Sequence, residues 1–305
     1  MGFVAESAFR TCVVLVVFKL SGREALSESV ENSEGKSFLQ GHKIPSETLS
    51  SFGSYPNPLN LTDSDRARFH PVISFPTIHT QDGTVVPNIQ ILDFTSASAH
   101  RQLATPQEQR LRREGGSSPT DQLVRKDYAV GRYDENRVGL YESALFDDLE
   151  NHIDGYAGRR TLHMGIDLDG PLLTPVHAFC DGTVLNVGFN AALGDYGNVI
   201  VVEHNLPSQN MDLSTERRRV YALYGHLDDA AIVDKKTGDK IVKGQVLGRM
   251  GDIHQNGGWF IPHVHFQLSL HAPETHDMPG AVSMADRTRA LIEYPDPRYI
   301  LGPLY

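Results

Sequence analysis

Val199-Ile200-Val201-Val202-Glu203, with Thr183-Val184-Leu185-Asn186-Val187 before it and Val220-Tyr221-Ala222-Leu223-Tyr224 after it, decides the fold class. These are short apolar runs, rich in β-branched and aromatic residues and broken by Gly, Asp and Asn, and they read as strands. Downstream, Ile241 to Gly248 reads as a turn-bearing β element and His263 to Leu270 as a further strand. Several short strands separated by turns, with few helical patterns, predict a mainly β core of barrel or sandwich type. That pattern begins only beyond Arg160. Upstream, residues 20–70 are rich in Ser, Glu, Asn, Gly and Pro and read as loop. Val72-Ile73-Ser74-Phe75 and the run Val85 to Leu92 read as strands, and residues 99–126 as a helix running out into a linker. Near Tyr128 the composition changes, and Tyr133, Tyr141, Leu145 and Phe146 supply apolar groups that dock onto the downstream strands. The expected organisation is an irregular N-terminal extension over 1–127 and a β domain over 128–305, with its core at 161–270.

Three phrases within that core carry chemistry: Leu162-His163-Met164-Gly165-Ile166-Asp167, Tyr224-Gly225-His226-Leu227 and Pro262-His263-Val264-His265-Phe266. Alternate residues of a strand share a face, so His263 and His265 look into one cleft. His163 and Asp167, four apart, reach one ion from a bend or a single helical turn. A His/His/carboxylate set with an open position for water is the pattern of a catalytic zinc site. Among the other histidines, His177, His204, His254, His271 and His276 read as structural or solvated, with His204 the nearest to a cleft role because it ends a strand.

Composition narrows the function class. A formal net charge of -10 over 305 residues argues against nucleic acid as partner. The basic run Arg217-Arg218-Arg219 reads as a solvated loop. Two cysteines, Cys12 and Cys180, make neither a disulfide framework nor a zinc ribbon, and Cys180 reads as a small core residue. No stretch is apolar for long enough to span a membrane. The run Cys12 to Phe18, with Arg10 before it, imitates a secretory signal but lacks a small-residue cleavage site, so export stays open. Oligomeric state is not written in the sequence.

The phrases together resemble the LytM/lysostaphin-type zinc metallopeptidases, whose core is a duplicated hybrid-motif β-sheet domain. His163-Met164-Gly165-Ile166-Asp167, Thr174-Pro175-Val176-His177-Ala178, Gly197 to His204, Tyr224-Gly225-His226-Leu227, Gly244 to Gly248 and His263-Val264-His265-Phe266 follow in the family's order from about Thr161 to Leu270. Asn256-Gly257-Gly258-Trp259 and Pro295-Asp296-Pro297 resemble the branch fused to kinase-like and class III aminotransferase-like domains. Leu173, where the family has glycine, and the long loop Pro207 to Arg219 depart from the pattern. The resemblance implies one zinc per chain on His163, Asp167 and His265, with His226 and His263 unligated beside it, sharing the general-base and oxyanion roles. It implies a metalloendopeptidase in which zinc supplies Lewis acidity to a water nucleophile, acting on a peptide or peptide-like amide.

Two other classes would use the same architecture. A non-catalytic binding module usually loses a ligand, and here all five positions are present. A lipoyl or biotinyl carrier needs a modified lysine at a hairpin tip, whereas Lys243 sits in a structural turn. A phosphocarrier has no use for Asp167. Residues 128–150, with their tyrosines, are expected to line or cover the groove and limit it to short peptides.

Overall fold

The apolar runs are strands, and their unbroken hydrophobicity reflects a sheet covered on both faces. The computed structural model describes residues 55–95, 107, 110–111, 114–115, 128–141, 143–206 and 218–305, with backbone alone at 148–152. All fall within the unit Ser46–Tyr305. The apolar run 12–18, most of the helix expected over 99–126 and most of the loop 207–219 lie outside the described residues.

Strands in chain order are β1 (Thr77–His79), β2 (Val85–Pro87), β3 (Gln90–Ile91), β4 (Ala129–Gly131), β5 (Asp147–Ile153), β6 (Tyr156–Arg159), β7 (Leu162–His163), β8 (Ile166–Asp169), β9 (Pro175–His177), β10 (Gly182–Asn190), β11 (Gly197–Asn205), β12 (Arg219–Leu227), β13 (Lys240–Ile241), β14 (Val246–Arg249), β15 (His263–Ser269) and β16 (Ala281–Val282). An eight-stranded sheet runs β13-β10-β11-β12-β15-β8-β4-β3. Its pairs are antiparallel except β3 with β4. Two-stranded ladders β9–β14, β7–β16, β5–β6 and β1–β2 accompany it. The mainly β expectation holds.

Strand alternation sorts the side chains. Ile166, Leu168, Ile200, Val202, Val220, Ala222, Tyr224, Val264, Phe266 and Leu268 point into the main core, against Val176, Phe179, Leu247 and Met250. Val199, Val201 and Leu223 point the other way and pack with Tyr196 and Met278. The odd-numbered residues of β8 and β15 share that second face, so Asp167, His263, His265 and Gln267 stand opposite the main core.

The upstream segment is more ordered than its composition suggests. Within the stretch expected to be loop, Thr62 caps a one-turn helix at Asp63–Arg66 through a capping box with Asp65. Leu59, Leu61, Val72 and Ile73 join the main core cluster. Val72 to Phe75 is not a strand. Pro71 and Pro76 bracket it and withhold ladder donors, and it holds to β9 through His177 N–H to Val72 O, 2.8 Å. The single strand expected over Val85 to Leu92 is split, because Pro87 ends β2 before β3 turns to pair with β4.

Candidate functional site

His163 ends β7 and Asp167 lies in β8. The chain between them, at Met164 and Gly165, bends at Gly165 and forms no helical turn, so of the two expected geometries the bend is the one found. This break folds the two side chains onto each other, with His163 Nε2 3.2 Å from Asp167 Oδ1. Gly165 is required there, because a Cβ would sit 2.4 Å from His265 Cε1 and 2.5 Å from its Nε2. His265, on β15 opposite Asp167 in the ladder, brings Nδ1 to 3.1 Å from Asp167 Oδ1 and 3.0 Å from His163 Nε2.

Hydrogen bonds fix both imidazole tautomers. His163 donates its Nδ1–H to Arg132 O (2.8 Å), which leaves the Nε2 lone pair facing inward. Gln267 Nε2 donates to Pro279 O (3.3 Å), so its Oε1 accepts the His265 Nε2–H (2.9 Å) and the His265 Nδ1 lone pair faces inward too. Two lone pairs and a carboxylate oxygen thus converge on one point, an arrangement that calls for a cation. Donors on a tetrahedral zinc with bonds of about 2.0–2.1 Å stand roughly 3.3 Å apart, close to the triangle seen here. The donor set fits zinc. These are the residues that group as metal donors among those described.

Electrostatics agree with ligation. Burial, then the Arg137 guanidinium, pull His163 down to about 4, so its imidazole is neutral at neutral pH. Burial alone would raise Asp167, but its carboxylate is held well below the usual range, and with His163 neutral the group that keeps its charge beside it is the Arg137 guanidinium. Asp167 Oδ2 receives Arg137 Nη1 at 2.6 Å.

His226 and His263 stand beside this triangle, their rings 4.3 Å apart and the His226 ring 6.2 Å from that of His265. His226 arrives by a β-bulge. Pairing of β12 with β11 shifts between Asn198↔Leu227 and Ile200↔Tyr224, and His226 adopts φ 64°. Regular alternation would send His226 to the main core with Ala222 and Tyr224; the bulge turns it to the site and sends Leu227 to the core instead. His226 donates Nδ1–H to Asn256 O (2.8 Å), and His263 donates Nδ1–H to Ile261 O (2.7 Å). Burial, reinforced by His263 and His265, holds His226 well below its ordinary pKa, and burial also lowers His263.

Asp167, His226, His263 and His265 line an open cleft of about 710 Å³, open solvent included, walled by Phe94, Leu140, Tyr141, Leu145, Phe146 and Trp259. Tyr141 stacks on Phe146 at 4.3 Å, and Trp259 stands edge-on to His226 and His263. Arg160, Asp195 and Asp277 add a polar patch, where burial and then Asp195 push Asp277 up to about 7. The tyrosine-bearing segment expected to line the groove does so through Leu140, Tyr141, Leu145 and Phe146.

The five expected residues are brought together. His177, His204, His254, His271 and His276 line no part of the cleft. His204 is wholly buried, donating Nδ1–H to Cys180 O (2.9 Å) and accepting from Tyr224 OH (2.9 Å). Sequence reasoning missed Arg137, Gln267 and the role of Asn256. Gln267 was within reach, since it follows His265 at the strand period. Asn256 Nδ2 donates to Gly251 O and Trp259 O while its Oδ1 accepts from Gly258 N and Trp259 N, which shapes the loop whose carbonyl orients His226. Arg137 gave no signal, being one arginine in a polar stretch.

The "DD-carboxypeptidase/endopeptidase Mpg" of Neisseria meningitidis is 26% identical over 129 residues, 42% of this chain and 25% of that protein. The "Peptidoglycan DD-endopeptidase ShyC" of Vibrio cholerae is 26% identical over 136 residues, 43% of this chain and 27% of that one. The chain thus spans about a quarter of the length of these curated relatives. Among solved structures, the catalytic domain of lysostaphin from Staphylococcus simulans aligns with TM-score 0.30 and 21% identity, over 52% of this chain and 89% of that one. A zinc-containing peptidase from Vibrio cholerae aligns with TM-score 0.28 and 20% identity, over 63% and 42%. Residues 161–276, which carry all five histidine and aspartate positions of the site, match the model of peptidase family M23.

Proposed function

We propose that residues 128–305 form a zinc-dependent metalloendopeptidase domain, with 1–127 as an extension, and that it hydrolyses a peptide or peptide-like amide. One zinc per chain is assigned to His163, Asp167 and His265. The observation that carries this reading is the convergence of their three donor atoms within 3.0–3.2 Å of one another. Zinc held there supplies Lewis acidity, which brings the pKa of a water nucleophile toward neutrality.

His226 and His263 do the proton work. With each Nδ1–H committed to a backbone carbonyl, a neutral ring has only Nε2 available, as an acceptor. Their lowered pKa values keep them neutral and able to take the proton from the water nucleophile. The imidazolium so formed can donate to the developing oxyanion and then to the leaving amine. The two histidines share these roles.

The names of the curated relatives make cross-linked peptidoglycan peptides the first substrates to test. The resemblance of Asn256 to Trp259 to the branch fused with small-molecule enzymes adds short peptide-like amides. The experiment is zinc per chain, with amide hydrolysis, in wild type, Asp167→Ala and His265→Ala. About one zinc in the wild type, lost with hydrolysis in both variants, supports the reading. A folded wild-type protein that takes up no zinc overturns it, and zinc without turnover on any peptide favours a binding module.

A further inference from the structure

Resting on the zinc reading above, we propose that Arg137 is a positioning residue for the Asp167 carboxylate. The candidate metal centre is then assembled in part by a strap, Arg132 to Arg137, that lies outside residues 161–276.

The strap grips two of the three ligands. His163 N–H donates to Glu135 O (3.0 Å), His163 O accepts from Asp134 N–H (2.8 Å), and the His163 ring donates to Arg132 O (2.8 Å). Arg137, 2% exposed, reaches past this point with a guanidinium held at several places. Its Nη1 donates to Asp167 Oδ2 at 2.6 Å and to Tyr141 OH at 3.1 Å, and its Nε donates to Glu135 Oε2 at 3.0 Å. The Phe94 ring covers it at 5.0 Å. Glu135 is itself fixed, since Oε1 accepts from Arg132 (Nε 3.0 Å, Nη2 2.8 Å) and from Phe94 N–H (3.1 Å). Contact is tight: a Cβ on Gly131 would lie 2.6 Å from Arg137 Nη2 and 2.9 Å from Asp167 Oδ2.

A carboxylate on a short side chain rotates about a broad, roughly two-fold torsion, so either oxygen, or both, can meet an ion. Arg137 removes that freedom. With Oδ2 occupied, only Oδ1 is presented to the point that His163 and His265 face. A planar fork anchored on a second acid gives direction as well as charge, which an ammonium cannot reproduce. The plainer role, neutralising two buried acids, needs the charge alone, and the two roles separate by experiment.

Zinc affinity is read by chelator competition in the full chain. Fold is checked by near-ultraviolet circular dichroism, and ligand geometry by the visible bands of the cobalt-substituted protein. The pair Glu135→Gln with Arg137→Met keeps the net charge, avoids stranding Glu135 and keeps an acceptor for Arg132. It is expected to bind zinc about 10–100-fold more weakly, the usual effect of losing a partner that orients a ligand, with altered cobalt bands and an unchanged fold. Arg137→Lys is expected to fall between it and wild type. Affinity within about two-fold of wild type in the pair, with unchanged bands, overturns the proposal, as does full recovery in Arg137→Lys. If the wild type takes up no zinc, the metallopeptidase reading falls as well; if it binds and the pair matches it, only Arg137 loses its role.

Discussion

Gly165→Ala is a small perturbation that reaches the candidate metal centre without replacing any of its candidate donors. The new methyl carbon would lie 2.4 Å from His265 Cε1, 2.5 Å from His265 Nε2 and 3.0 Å from the Phe266 carbonyl. Ordinary contact begins near 3.4 Å, so the imidazole must retreat by about 1 Å. It has little room, because Gln267 Oε1 holds its Nε2 at 2.9 Å and the Tyr196 ring packs 5.1 Å away. A donor that begins at about 2.0–2.1 Å from zinc and moves by that amount no longer coordinates. Overpacking of this kind costs about 1–3 kcal/mol, which a folded domain can survive. Zinc affinity should then fall at least about 100-fold, the upper end of what loss of a supporting contact costs. Chelator competition measures the affinity, and urea unfolding in excess chelator measures the metal-free stability. Wild-type zinc affinity in a folded Gly165→Ala protein would refute the close approach of the β7–β8 link to the His265 ring.

His204 tests the structural reading of a histidine outside the cleft. Burial lowers its pKa from the ordinary 6.5 to about 4, so the unfolded chain takes up its proton first as pH falls. Its contribution is complete above about pH 6.5 and is lost as pH falls to about 4, amounting to about 3 kcal/mol at 1.36 kcal/mol per pH unit. The difference in unfolding free energy between wild type and His204→Gln should shrink by that order from pH 8 to pH 4; a flat difference would contradict the burial. Leu173 carries φ 66° with a half-exposed side chain, in a conformation that favours glycine. Relief of about 1–2 kcal/mol of left-handed strain, less about 0.5–1 kcal/mol for glycine's unfolded freedom, predicts that Leu173→Gly raises the urea midpoint slightly. A lower midpoint would mean that the leucine packs better than its exposure implies.

Structure governed by a short-range period is legible in the sequence, and structure set by long-range pairing is not. Val199 to Glu203 and Val220 to Tyr224 are strands because alternation and β-branched composition are local properties, and His263 with His265 share a face for the same reason. His226 is the instructive case. Counted along β12 it belongs with Ala222 and Tyr224 in the main core, and only its motif, not its period, marks it as a site residue. The bulge that re-aims it depends on pairing with β11, a strand some thirty residues earlier in the chain. Asp167 is legible as a candidate donor, yet one of its carboxylate oxygens is held by Arg137, thirty residues away in sequence. Leu59, Leu61, Val72 and Ile73 reach the core through isolated insertions from irregular chain, a pattern with no period to detect. Donor identities are therefore written locally, while their aim comes from pairings between distant segments. A variant series confined to the histidines and Asp167 would test the candidate ligands but miss the contacts proposed to orient them.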